Sequence, residues 1–99
     1  MGRGLSESAD LLFPLYWGAY SAALRLSVER EGLELGAITD LSLINRAYSE
    51  GIVSFEHYES ARRLLSLRNE VVHTFEATVT DDDLIELRKS IAELVDELT

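Results

Sequence analysis

The sequence predicts an all-α protein, an antiparallel four-helix bundle, on three observations. Apolar residues recur every three or four positions in four separate stretches. No stretch sustains the alternation of period two that a half-buried strand needs. Between the periodic stretches stand stop and cap signals, namely Gly32, Thr39 or Asp40, Gly51, Ser54 and Thr80. The intervening connectors are short, which favours antiparallel neighbours. Ninety-nine residues, 46% of them hydrophobic, make one domain over 1–99 with one core.

Residues 1–7 read as a loose lead-in. From about Ser8 to Glu31 the apolar positions Leu12, Leu15/Tyr16, Ala19, Ala22/Ala23 and Leu26 follow a helical period, and Gly32 is a C-terminal stop. Either this helix begins near Pro14, with proline at an early position, or a short turn precedes it, because proline deep inside costs about 3 kcal/mol. Gly18 and the alanines flatten the helix and let a neighbour approach closely. A connector over 33–38 leads to a second helix, capped by Thr39 or Asp40, with Leu41, Leu43/Ile44 and Ala47/Tyr48 apolar. It runs to about Glu50, and Gly51 ends it. Ser54 caps the third helix, which begins at Phe55, carries Glu56 in its first turn and ends at about Thr74 or slightly beyond. Thr80 caps the fourth, with Asp81, Asp82 and Asp83 on the positive end of its dipole. Leu84, Leu87, Ile91, Leu94/Val95 and Leu98 give that helix one clean stripe.

Composition narrows the function classes. The absence of cysteine excludes disulfides and thiolate metal sites and fits a reducing cytosol, so a cytoplasmic location is expected. Leu11 to Ala23 is apolar but too short for a membrane span, and the N-terminus is not followed by a signal-peptide core, so no membrane partner is expected. There is no phosphate loop, dinucleotide fingerprint, H-E-x-x-H or nucleophile elbow, so no cofactor and no metal site are predicted. The net charge of −9 opposes phosphate contacts, but it is uneven. Residues 79–99 carry seven acids against Arg88 and Lys89, whereas residues 54–78 carry four acids against Arg62, Arg63 and Arg68.

The stretch that carries chemistry is Leu64 to Phe75 on the third helix. Leu64, Leu67, Val71 and Phe75 are spaced to face the core, and Tyr58, Ala61, Leu65, Arg68 and Val72 form an adjoining stripe in which Arg68 interrupts an apolar edge. Arg62, Ser66, Asn69 and His73 form a third stripe that is wholly polar. Arg68 and His73 are five apart, roughly 140° around the axis, but a long arginine side chain can swing towards the groove beside His73. A guanidinium and an imidazole on one segment supply a fixed cation and an acid/base group, as a metal-free nuclease requires at a phosphodiester. The plain structural reading pairs Arg68 with Glu59, Glu70 or an acid of the fourth helix, in a buried ion pair in its strongest form. It leaves His73 to satisfy last-turn carbonyls.

The segment Leu67-Arg68-Asn69-Glu70-Val71-Val72-His73 resembles the R-x4-H signature of the HEPN superfamily, whose members share an all-helical bundle. The surroundings are similar as well: an aromatic-rich first helix ending in L-R, here Leu24-Arg25, a short second helix, and the motif near the end of the third. The resemblance implies a HEPN-like fold and metal-independent endoribonuclease chemistry, in which the RNA 2′-hydroxyl attacks phosphorus to leave a 2′,3′-cyclic phosphate. It implies His73 as the acid/base group, Arg68 as the stabiliser of phosphate charge and Asn69 as a positioning group. Arg62 and Ser66, on the polar stripe with Asn69 and His73, are read as substrate-binding residues. It further implies a homodimer through the motif helix, a role as a toxin or defence effector, and a cognate antitoxin or other protein partner. Family members that have lost catalysis serve as interaction modules, an alternative that the acidic charge favours.

Three other features have simpler readings. Tyr16 and Tyr20 fit core or dimer contacts better than a base-stacking platform, because they lie at helical spacing. Asp81, Asp82 and Asp83 point in three directions, which suits capping rather than a metal. His57, between Glu56 and Glu59, is read as a surface residue of the first turn.

Overall fold

The computed structural model describes the backbone of residues 2–73 and 78–99, and side chains from Leu11 onward within those ranges. It is an all-α four-helix bundle of α1 (Gly2–Glu29), α2 (Asp40–Ser49), α3 (Phe55–His73) and α4 (Asp81–Leu98), with no strand among the described residues.

Local chemistry explains most boundaries. The Thr39 hydroxyl accepts the Ser42 N–H at 3.2 Å to start α2, and the Ser54 hydroxyl accepts the His57 N–H at 3.1 Å to start α3. At α4, Thr80 and Asp83 form a reciprocal capping box, the side chain of each accepting the other's backbone N–H. The turns after α1 and α2 use Gly32 (φ 83°) and Gly51 (φ 72°), in the left-handed region that glycine enters without strain.

Helix α1 departs from expectation in three ways. It starts at Gly2, so the lead-in expected over 1–7 is helical from that residue. That stretch holds no proline, and Leu5, Glu7 and Ala9 are strong helix formers. Pro14 lies in the helix interior, neither at its start nor after a turn. The proline is exposed, while Phe13 and Trp17 hold the helix to the core on either side of it.

The third departure concerns which face is inside. Phe13, Trp17, Tyr20, Leu24 and Val28 are buried, whereas the expected stripe is exposed at Leu12, Leu15, Ala19, Ala22 and Leu26 and reaches the core only through Ala23 and, in part, Tyr16. Between Leu11 and Val28 the helix is apolar nearly all round, so periodicity alone does not choose a face. The large aromatic side chains, which gain most from burial, take the inside.

Contacts along the helices fix their directions. On α3 and α4, His57 meets Glu93, Ser60 meets Glu86 and Arg63 meets Asp83, an antiparallel pair. Arg88 lies over the Tyr16 ring and Arg30 donates to the Glu97 carbonyl, so α1 runs in the same sense as α4. Asp40 meets Trp17 and Ser21, while Glu50 and Gly51 adjoin Ser27 and Arg30, so α2 also runs alongside α1. The antiparallel relation therefore belongs to α2–α3 and α3–α4. It fails between α1 and α2 because their connector folds back along α1, with Leu33, Leu35 and Ile38 packed on the core and Arg25 donating to the Gly36 carbonyl. Leu43, Ile44 and Ala47 of α2, Ala61, Leu64 and Leu65 of α3, and Leu87 and Leu94 of α4 complete the core, closed by Val79 ahead of α4. Leu67 and Val71 pack against it partly buried, and Phe75 lies outside the described residues.

Candidate functional site

The outer edge of α3 carries the sequence-predicted residues. Arg62, Ser66, Asn69 and His73 are all exposed along it, as their spacing requires. Arg68 is half-buried beside that edge, and its Nη1 donates to the Asn69 Oδ1 at 3.1 Å. The guanidinium thus leans towards the polar stripe, one turn before His73, despite the angle between the two positions. Among the described residues it has no carboxylate partner, so the buried ion pair that was the plain alternative for Arg68 does not form there.

The ion pair from α3 to α4 is made by Arg63 instead, and at the surface, since its side chain is about half exposed. Its guanidinium reaches Asp83 at 3.0 Å and Glu86 at 2.9 Å, and Ser60 donates to Glu86 at 2.6 Å, locking α3 to α4. Burial pushes the Asp83 carboxyl up, but the Thr80 backbone and hydroxyl, with Arg63, more than offset this and hold it below its ordinary value. Hydrogen bonding to Glu86 raises Arg63 in turn.

Arg62 sits apart from the Arg68–His73 end. Its Nη1 donates to the Tyr58 hydroxyl at 3.3 Å, and its guanidinium lies 5.6 Å from the centre of that ring. Tyr58 stacks on Tyr48 at 4.5 Å, with Phe55 beside both. Eleven residues of helix, about 16 Å, separate Arg62 from His73. The structure therefore joins Arg68 to Asn69, with His73 one helical turn beyond Asn69 on the same edge, and puts Arg62 at the other end of that edge, with Ser66 between them.

A second polar centre went unrecognised in the sequence. His57, expected on the surface, has a side chain only 7% exposed, and its Nε2 accepts from the Tyr20 hydroxyl at 2.7 Å. Its Nδ1 faces Glu93 at 3.6 Å, and the Tyr20 and His57 rings stack at 5.6 Å. Burial lowers the His57 pKa, with Glu93 and Glu97 opposing it. The Glu93 carboxylate facing Nδ1 assigns the neutral ring's proton to that nitrogen and leaves Nε2 to accept from Tyr20. Burial, then Glu93, pushes the Tyr20 hydroxyl well above its ordinary range. The clue was the cap at Ser54, which turns residue 57 inward, but the partner became visible only once Tyr20 was on the buried face of α1. A third tie joins α1 to α2, where Asp40 accepts from the Trp17 Nε1 and the Ser21 hydroxyl, both at 2.9 Å.

Among the described residues, no cluster of three His, Cys, Asp or Glu side chains is arranged to hold a metal, and no helix is long and apolar enough to cross a membrane. The acids at 81–83 serve the α4 N-terminus, as their spacing suggested. No family model, curated protein or solved structure matches this chain.

Proposed function

We propose that this chain is a metal-independent endoribonuclease of the HEPN type. The observation that carries the reading is Arg68: its only side-chain partner among the described residues is the neutral amide of Asn69, one turn from the exposed His73. A guanidinium that no described carboxylate engages can meet an incoming anion. In the proposed reaction His73 takes the proton of the RNA 2′-hydroxyl as that oxygen bonds to phosphorus. The bond from phosphorus to the 5′ oxygen breaks, and the leaving oxygen takes up a proton. The products are a 2′,3′-cyclic phosphate and a 5′-hydroxyl, with no redox change. Arg68 stabilises the charge that builds on the non-bridging oxygens, and Asn69 holds the guanidinium in place. Ser66 and Arg62 contact the RNA backbone further along the edge.

The same reading makes the protein a toxin or defence effector of the cytoplasm, with a cognate antitoxin, whose motif helices pair across the RNA. That contact is polar, through Ser66, Asn69 and His73, so it forms around the substrate. A second reading, a HEPN-like interaction module without catalysis, is favoured by the net charge of −9, which suits a basic protein partner. Incubation with labelled structured and unstructured RNAs in EDTA separates the two. The nuclease reading expects cyclic-phosphate ends and a loss of about 10²- to 10⁴-fold in His73→Ala. Equal cleavage by both proteins would overturn it.

A further inference from the structure

We propose that the outer face of α1 is a homodimer interface, in which two copies pack their first helices antiparallel about a two-fold axis level with Gly18 and Ala19. Every exposed position between Leu11 and Leu26 is apolar or glycine. The most prominent are Leu11, Leu15 and Leu26, exposed by 75%, 71% and 57%. A helix at a protein surface ordinarily turns polar residues to water, and one that is apolar on both faces is covered on both.

The spacing of the stripe identifies the covering partner. Leu11, Leu15, Gly18, Ala19, Ala22 and Leu26 are separated by four, three, one, three and four positions, the same series from either end. An antiparallel copy therefore sets Leu11 against Leu26, Leu15 against Ala22, and Gly18 against Ala19. The large side chain of each pair at 15 and 22 meets a small one, and the centre is small on both sides. Such self-complementarity is what a two-fold contact requires, since the same patch must serve both subunits.

Gly18 adds an independent observation. A methyl group built on it meets nothing within 4 Å, so no packing inside the protomer calls for glycine there. Glycine in a helix interior costs about 1 kcal/mol relative to alanine, and close approach of a second helix from outside offsets that cost. Charge points the same way. No charged residue occurs from Leu11 to Leu24, so two copies that each carry −9 meet where neither presents a carboxylate. Among the described residues of α1 the only cation beside the face is Arg25, held by Glu29 and the Gly36 carbonyl, so the face lacks the row of lysines and arginines that seats an interfacial helix on an anionic membrane.

The absence of cysteine makes the register directly measurable. Under mild oxidation, Gly18→Cys and Ala19→Cys should each form disulfide-linked dimers. Leu11→Cys alone should not, because its copies lie about 22 Å apart along the axis, whereas a mixture of Leu11→Cys and Leu26→Cys should cross-link. Leu15→Glu and Ala22→Glu, both at solvent-facing positions, should be monomeric by light scattering with unchanged helicity. If either fails to fold, the cysteine series still decides. The proposal is overturned by a monomeric wild type that gives no cross-link at 18 or 19. It is likewise overturned by cross-linking through Ser66→Cys alone, or by a protein that stays monomeric and co-sediments with phosphatidylcholine vesicles.

Discussion

Protonation and stability are coupled at His57 through its buried hydrogen bond to Tyr20. Its native pKa lies below the ordinary imidazole value of about 6.5, so between the two values the unfolded chain binds a proton that the native protein does not. Stability therefore rises with pH through that window and is lost as pH falls from about 6.5. Asp83 adds a loss of the same sign at lower pH, because its native value is depressed and its contribution disappears as it protonates. In His57→Gln the side-chain carbonyl can still accept from Tyr20, but nothing titrates. The fall in melting temperature between about pH 7 and about pH 5 should be smaller than in wild type, and identical profiles would show that His57 is not the titrating group. Tyr20→Phe removes the donor and leaves a buried Nε2 unpaired, a loss of about 1–3 kcal/mol in chemical denaturation. Arg68→Met should behave in the opposite manner. With no carboxylate partner among the described residues to strand, it should change stability by no more than about 0.5 kcal/mol while RNA cleavage is lost. A large loss of stability would instead mark Arg68 as structural.

Helix α1 marks the limit of what could be read from the chain. The caps at Ser54 and Thr80 were legible, and Thr39 was one of two candidates with Asp40, because each depends on a side chain and an N–H three residues away. The exposed edge at Arg62, Ser66, Asn69 and His73 was legible for the same reason, since helical geometry alone groups positions three and four apart. The buried face of α1 was legible only at Tyr20, read as a core or dimer contact; elsewhere both faces are apolar, and only the competition among Trp17, Tyr20 and the leucines for the interior decides between them. Everything downstream of that choice was hidden with it, including the Tyr20–His57 hydrogen bond, the Trp17–Asp40 tie and the uncovered stripe. The return of the α1–α2 connector was hidden too, because a periodic pattern carries no direction. Pro14 gives this element its own test. It sits exposed in the helix interior, so Pro14→Ala should restore a backbone hydrogen bond and relieve a steric clash. The gain, reduced by the extra freedom of the unfolded chain, should be about 2 kcal/mol in chemical denaturation. Measured in a Leu15→Glu background, it would be free of any contribution from association.

At the scale of the whole molecule, charge sets the two proposed associations against each other. A chain of net charge −9 repels both a second copy and RNA, but the contacts that overcome the repulsion differ in kind. The α1 face is uncharged and apolar, so salt screens only the long-range repulsion between copies and leaves the contact itself intact. The proposed contact with RNA would run through Arg68 and Arg62, so salt should weaken that attraction as well, through competition of cations for the phosphates. Between about 0.01 M and about 1 M salt the screening length falls from about 30 Å to about 3 Å, short enough to isolate each copy from the acids on α4 of the other. Sedimentation equilibrium across that range should show the dimer tightening. Binding of a 2′-deoxy oligonucleotide, which lacks the attacking hydroxyl and so is not cleaved, should weaken over the same range. A dimer that loosens with salt would mean that ion pairs, and hence a face other than the outer side of α1, hold the copies together. RNA binding indifferent to salt would remove the two arginines from the substrate path and leave the α1 contact as the property to pursue.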